Sequence, residues 1–129
     1  MTIRFNTTMR DAMVTALTGA ISNCTLSIYT GSQPATANDA ATGTKLVDIT
    51  INGFKAPVNG SATLDTTTPI TGTAVATGTA GWGRIVAGTG ERIDGTVGTS
   101  GTDFTINSTS ITNGATVTLT AMTVTQPAS

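Results

Sequence analysis

The sequence predicts an all-β fold, an antiparallel sandwich or barrel preceded by one short helix. Three observations carry this. From Asn23 onward, apolar and polar residues alternate with period two in seven or eight short runs, spaced about ten residues apart. Glycine and proline punctuate those runs. Thirty-one of the 129 residues are threonine, a β-branched type that suits a pleated surface and can turn its hydroxyl to water. No period of 20–50 residues emerges, which argues against a solenoid or propeller. One domain is expected over 1–129, with an arm and helix in 1–22 and the β-structure in 23–129.

The helix comes first. Met9, Met13, Val14 and Leu17 share one face at helical spacing. Asn6, Thr7 or Thr8 supplies the N-cap oxygen, Asp11 falls near the positive end of the dipole, and Gly19 offers a stop. The expected span is 8–17, with 1–5 as an arm ahead of it. So short a helix does not persist alone in water, so it must dock on its own sheet or on a neighbour.

The strands follow in order. Residues 24–29 alternate until Gly31 and Pro34 break them. Residues 32–44 are small and polar without a period, a loop long enough to be functional or mobile. Val47, Ile49 and Ile51 face one way, 62–64 opens another short strand, and 73–77 is a weak one. Residues 82–87 and 92–97 flank Gly88-Thr89-Gly90-Glu91, which reads as a four-residue hairpin loop. Residues 98–101 form the next turn and 103–106 the next strand. Asn113-Gly114 is the strongest turn signal, favouring positive φ at both positions. In the final run, Ala115, Val117, Leu119 and Ala121 share a face, but Met122 and Val124 continue the apolar set on the other parity. One extra residue near Ala121 restores alignment, so a β-bulge is expected there.

Composition narrows the chemistry. Charged residues make up 10% of the chain, with six basic against seven acidic and no histidine; ordinary domains carry about 25%. This balance offers no electrostatic footprint for nucleic acid or an anionic membrane. One cysteine and no histidine leave out zinc sites, histidine acid–base pairs and disulfide frameworks. Cys24 alternates with Leu26 and Ile28 and reads as a small buried hydrophobe. The sequons at Asn6, Asn23, Asn59 and Asn107 are what a chain rich in Thr and Ser produces by chance, and no glycosylation is read from them. Residues 1–10 hold no apolar stretch of signal-peptide type, so synthesis in a cytosol is expected.

Chemical motifs are sparse. The glycines of the second half never fall into a phosphate-binding pattern, and no G-x-S-x-G occurs. A serine or threonine nucleophile would need Lys45 or Lys55 as its base, and no local serine pairs with either. Glu91, Asp94 and Asp103 could flank a glycosidic bond, but each borders a turn, where surface pairing and turn chemistry explain it better. Thr116, Thr118 and Thr120 present hydroxyls along one strand, the pattern of an ice-binding face, but strongly on that strand only. No catalytic, cofactor-binding or metal-ligating residue is expected. Trp82, the only tryptophan, reads as a core anchor or, with Arg84, as an interface hot spot. Ile3, Arg4 and Phe5 form an arm suited to docking on a partner.

Thr79-Ala80-Gly81-Trp82, Arg84, the run 93–101, Asp103 and Asn107 resemble a family of small tailed-bacteriophage virion proteins. The first half agrees more loosely, through the helix, Leu26-Ser27-Ile28-Tyr29-Thr30-Gly31 and Pro34. Gly83 departs from the pattern, where a larger side chain is expected after the tryptophan. The resemblance implies a jelly-roll-like antiparallel β-sandwich with no catalytic residues, acting as a capsid cement or decoration protein on the outside of the phage head. The major capsid protein and further copies of the chain, as a dimer or trimer, are the implied partners. Synthesis in the bacterial host cytoplasm is implied with it. Ile3, Arg4, Phe5, Trp82 and Arg84, with the 32–44 loop, are the expected contacts. The rival expectations are a tail, neck or fibre module that binds a host glycan or another virion protein, and a secreted carbohydrate- or ice-binding domain.

Overall fold

A computed structural model describes residues 3–126. The elements are α1 (Thr7–Ile21), β1 (Thr25–Thr30), β2 (Lys45–Thr50), β3 (Ser61–Thr63), β4 (Ile70–Thr73), β5 (Gly78–Val86), β6 (Arg92–Gly98), β7 (Phe104–Ile106), β8 (Ser110–Ile111) and β9 (Thr116–Thr125). The strands join in the order β2-β1-β5-β6-β7-β9-β3, with β4 also on β9 and β8 on β5. The sheet is mixed and curls into a half-barrel. Its far end swings back toward its first strand: β4, paired on β9, lies against β2, where a Cβ on Gly72 would collide with the Asp48 carbonyl, and Val75 N–H donates to the Leu46 carbonyl at 2.8 Å. Leu26, Ile28, Leu46, Ile49, Ile85 and Phe104 fill the concave side.

The β-rich class with one helix holds, but a wholly antiparallel sheet does not. β6 and β7 run parallel, Val97 opposite Phe104, although only residues 99–103 connect them. Parallel neighbours ordinarily need a crossover of a dozen residues or more. Here side chains stitch the tight return. The Asp103 carboxylate accepts from Thr96 N–H (2.9 Å) and from its hydroxyl (3.1 Å). A Cβ on Gly95 would sit 2.8 Å from Asp103 Cβ, so glycine lets the returning chain lie flat on β6.

Other corrections are local. α1 reaches Ile21, past Gly19, because the helix ends where Ser22 Oγ donates to the Thr18 carbonyl (2.7 Å) and Asn23 adopts a φ of 61°. Asn6 is the N-cap, accepting from Met9 N–H at 2.9 Å. The buried face is Val14, Thr18 and Ile21, while Met9 and Leu17 of the expected face are exposed. Asp11 accepts from Gly60 N–H (2.6 Å), and Arg10 donates to the carbonyls of Gln126 and Asn59, so polar clamps dock the helix in cis. β4 occupies Ile70–Thr73, not 73–77, because its partner on β9 runs from Leu119 back to Thr116. At Asn113-Gly114 only Gly114 has positive φ, and the turn closes no hairpin: β8 pairs with β5 and β9 with β4. Cys24 is half-buried against the core.

Two local signals hold closely. Trp82–Val86 pairs with Arg92–Thr96 across the 88–91 loop. The β7–β9 register slips between Ala121 and Leu119, leaving Thr120 as the extra residue. That bulge moves Met122 onto the buried face beside Val117 and Leu119.

Candidate interaction surface

Packing explains why the residue after Trp82 is glycine, Gly83. It faces the concave core, where a Cβ would meet Leu26 Cδ1 at 2.9 Å and Val97 Cγ2 at 3.3 Å. Trp82 and Arg84 therefore point to the convex side of β5, next to Tyr29 on β1 and Asp94 on β6. Trp82 is fully buried there. Its ring stacks on Tyr29 with centroids 4.7 Å apart, and its Nε1–H donates to the Thr42 carbonyl at 3.2 Å. The Arg84 guanidinium lies 5.3 Å from the Trp82 ring and pairs with Asp94 through two bonds, of 2.7 and 2.9 Å. The ion-pair side chains are 6% and 5% exposed. The Asp94 carboxylate holds the Arg84 guanidinium above its already high ordinary pKa, so this cation is permanent.

Residues 31–44 roof this cluster. Thr30 and Thr44 exchange backbone and hydroxyl bonds at the base of the loop. Arg92 donates to the carbonyls of Ala37, Asn38 and Asp39 at 3.3–3.4 Å from across the sheet. The long loop is thus the lid of a second, convex-side core. Of the five expected contact residues, Trp82 and Arg84 lie buried beneath this lid, with the loop and not their side chains at the surface. Ile3 (77% exposed) and Arg4 stand on the surface in an extended segment before α1, and Phe5 is half-buried. Met1 and Thr2 of the expected arm lie outside the described residues.

Threonine covers more adjacent strand than its sequence pattern indicated. On β4 and β9, Thr71 stands opposite Thr118 and Thr73 opposite Thr116. Further along β9, Thr63 stands opposite Thr123, and the Ser61 and Thr125 hydroxyls are 3.0 Å apart. Thr71-Gly72-Thr73 is the part of this array that the sequence pattern hides, because the expected strand at 73–77 starts three residues after β4 does. The carboxylates weighed for catalysis are engaged otherwise: Asp94 by Arg84, Asp103 by Thr96, and Glu91 by the Thr89 hydroxyl. Among the described residues, no group of three or more His, Cys, Asp or Glu gathers to hold a metal, and no helix is long and apolar enough to cross a membrane.

Two exposed turn carboxyls are held below the usual carboxylate range by hydrogen bonds, Asp65 from Thr67 and Glu91 from Thr89. A depressed folded pKa contributes stability that is present above the unfolded value, about 4, and is lost as pH falls through the folded one. With no histidine to titrate, the melting temperature is expected to stay nearly flat from about pH 5 to 8 and to drop below about pH 4. Thermal melts of Thr67→Val and Thr89→Val should show a shallower acid limb. No protein-family model, curated protein or solved structure matches the chain.

Proposed function

We propose that the chain is a non-enzymatic structural protein of a phage virion, a cement or decoration protein that binds the outside of the head. The observation that carries this is the surface. A chain with 10% charged residues presents threonine hydroxyls on adjacent strands and an exposed Ile3-Arg4 arm, a surface suited to being covered in an assembly. The virion-protein resemblance of residues 79–107 supplies the class. A jelly-roll-like sandwich is the finer fold in this reading, supported by β4 folding back on β2 to face a common core.

In this reading, many copies lie across seams between major capsid subunits and bury hydroxyl-rich and apolar surface. Because they bind the assembled lattice and not the free subunit, they stabilise it by mass action, about 2.7 kcal/mol per site at a hundred times the Kd. That opposes outward pressure from packaged DNA. The test is cryo-electron microscopy of particles made with and without the protein, together with heat challenge. Extra density over capsomer seams and earlier DNA release on its removal are expected. Unchanged shells would sink the proposal. Deleting residues 1–5 should leave the melting temperature within a few degrees of the parent and abolish head binding.

A second reading, a tail or fibre module that binds a host glycan, is favoured by one cavity. About 140 Å3 in volume, it is lined by Phe54, Asn52, Asp65 and Thr67, one aromatic residue among polar groups. Tail localisation with loss of glycan-array binding in Phe54→Ala would select it.

A further inference from the structure

α1 carries apolar side chains on both faces: Val14 and Ile21 are buried against the rest of the fold, and others turn outward. A surface helix ordinarily turns its apolar stripe to the sheet and its charges to water. Here the only two charged side chains of the helix, Arg10 and Asp11, turn inward to the 59–60 turn and the Gln126 carbonyl. The outward face holds Met9, Ala12, Ala16, Leu17 and Ala20, with Met9 51% and Leu17 38% exposed, Met13 half-buried at its edge, and Thr8, Thr15 and Gly19 along its other flank. Helix propensity does not require this face, since charged residues serve an exposed helical position as well as methionine does. The face is built to be covered.

We infer that a second copy of this chain covers it, through antiparallel pairing of the two α1 helices about a two-fold axis at Met13. The face is complementary to itself. Met9, Met13 and Leu17 form a ridge at i, i+4 and i+8, and Ala12, Ala16 and Ala20 form a shallow furrow alongside. Rotating one helix about Met13 brings the two ridges together along one seam, Met13 against Met13 of the second copy, with the alanine furrows flanking it so that the backbones approach closely. Met9 then faces Leu17 of the second copy. Such an interface is isologous, as a two-fold requires.

Charge complementarity names the same occupant. In this register the arm ahead of each helix runs past the C-terminal end of the other. Beside Leu17 there, a cavity of about 200 Å3 is lined by Ile93, Phe104, Met122 and Val124, with Asp103 at its rim. Asp103 is exposed and uses one carboxylate oxygen on Thr96. Arg4 is exposed and outside the two ion pairs found among the described residues, Lys45–Asp48 and Arg84–Asp94. The arm thus carries apolar side chains for the cavity and a cation for its rim. Two helices alone bury less than the roughly 1,200 Å2 of a standard specific interface, so the arms complete it.

The inference does not rest on the cement reading, because it is measured on the free chain. Sedimentation velocity is expected to show a concentration-dependent dimer with a Kd in the micromolar range. Met9→Glu should weaken it at least tenfold while leaving the melting temperature and circular dichroism unchanged, and Arg4→Glu should weaken it less. In a Cys24→Ala background, Met13→Cys should oxidise to a disulfide dimer, while Thr15→Cys, on the other flank of the helix, should not. A chain that stays monomeric at millimolar concentration overturns the inference. So does an oligomer that is indifferent to Met9→Glu or cross-links equally through position 15. A monomer whose Met9→Glu variant loses binding to phage heads would instead give this face to the capsid.

Discussion

Asp94→Ala is expected to destabilise the protein by about 3–5 kcal/mol, the cost of stripping one partner from a buried ion pair. Both side chains of the Arg84–Asp94 pair are almost fully enclosed, at 6% and 5% exposure. The loss leaves a guanidinium that cannot shed its charge, facing the Trp82 ring and the underside of the 31–44 loop. Against a total stability of 5–15 kcal/mol for a typical domain, this approaches unfolding, and urea titration should show it as a lower midpoint. The pair itself is not the source of that energy. Replacing both members by apolar residues of similar size, Arg84→Met with Asp94→Leu, should recover most of the loss, because no orphaned charge remains. A double variant as unstable as Asp94→Ala would show that the bidentate geometry has value of its own. Arg84→Lys should fall between, since an ammonium cannot make the two parallel bonds.

Trp82→Ala carries the second large effect, again about 3–5 kcal/mol for removing a buried aromatic, or roughly a 10–20 °C fall in melting temperature. Its distinguishing consequence is local. The Trp82 indole gives the loop its bond at the Thr42 carbonyl and the Tyr29 ring its stacking surface. Without it, amide exchange and proteolysis in 31–44 should rise well beyond the global change, while the β5–β6 hairpin keeps its relative protection. Trp82→Phe retains an aromatic face for Tyr29 but loses the indole donor, and should cost less while still loosening the loop. Because Trp82 and Arg84 touch, with the guanidinium 5.3 Å from the ring, the effects of Trp82→Ala and Asp94→Ala will not add.

These two variants turn on a cluster whose members the sequence marks out without revealing their arrangement. Trp82 stands alone in composition, and Arg84 follows it at strand parity, so both were legible as a pair on one face of β5. Burial of Trp82 was legible as well, because a lone tryptophan reads as a core anchor; burial of Arg84 beside it, on the convex side, was not. On a two-layer expectation, residues opposite the core face point to solvent. The enclosure depends on residues 31–44 folding across the convex side, held from forty or more positions away by Trp82 at the Thr42 carbonyl and by Arg92 at the carbonyls of Ala37, Asn38 and Asp39. The helix misled in the opposite sense. Met9, Met13, Val14 and Leu17 have the spacing of a docked face, but of these only Val14 is fully buried: the helix is rolled so that Thr18 and Ile21 join it and Arg10 and Asp11 bond the Asn59-Gly60 turn and the Gln126 carbonyl.

What the sequence determined by itself were the features set by neighbours along the chain. Period-two alternation gave β-structure, the 88–91 glycines gave the hairpin, and the parity change between Ala121 and Met122 gave a bulge near Ala121, which sits one residue earlier at Thr120. Asn6 was legible as a cap for the same reason: a side-chain oxygen reaches an amide three residues on. The parallel β6–β7 pair, the return of β4 onto β2, the lid over Trp82 and the outward apolar face of α1 were decided by tertiary structure alone. Each depends on contacts between segments far apart in sequence or on a side chain such as Asp103 bracing its own backbone. Local pattern fixes which residues prefer a pleat or a turn, but it does not say which other strand or loop will satisfy them.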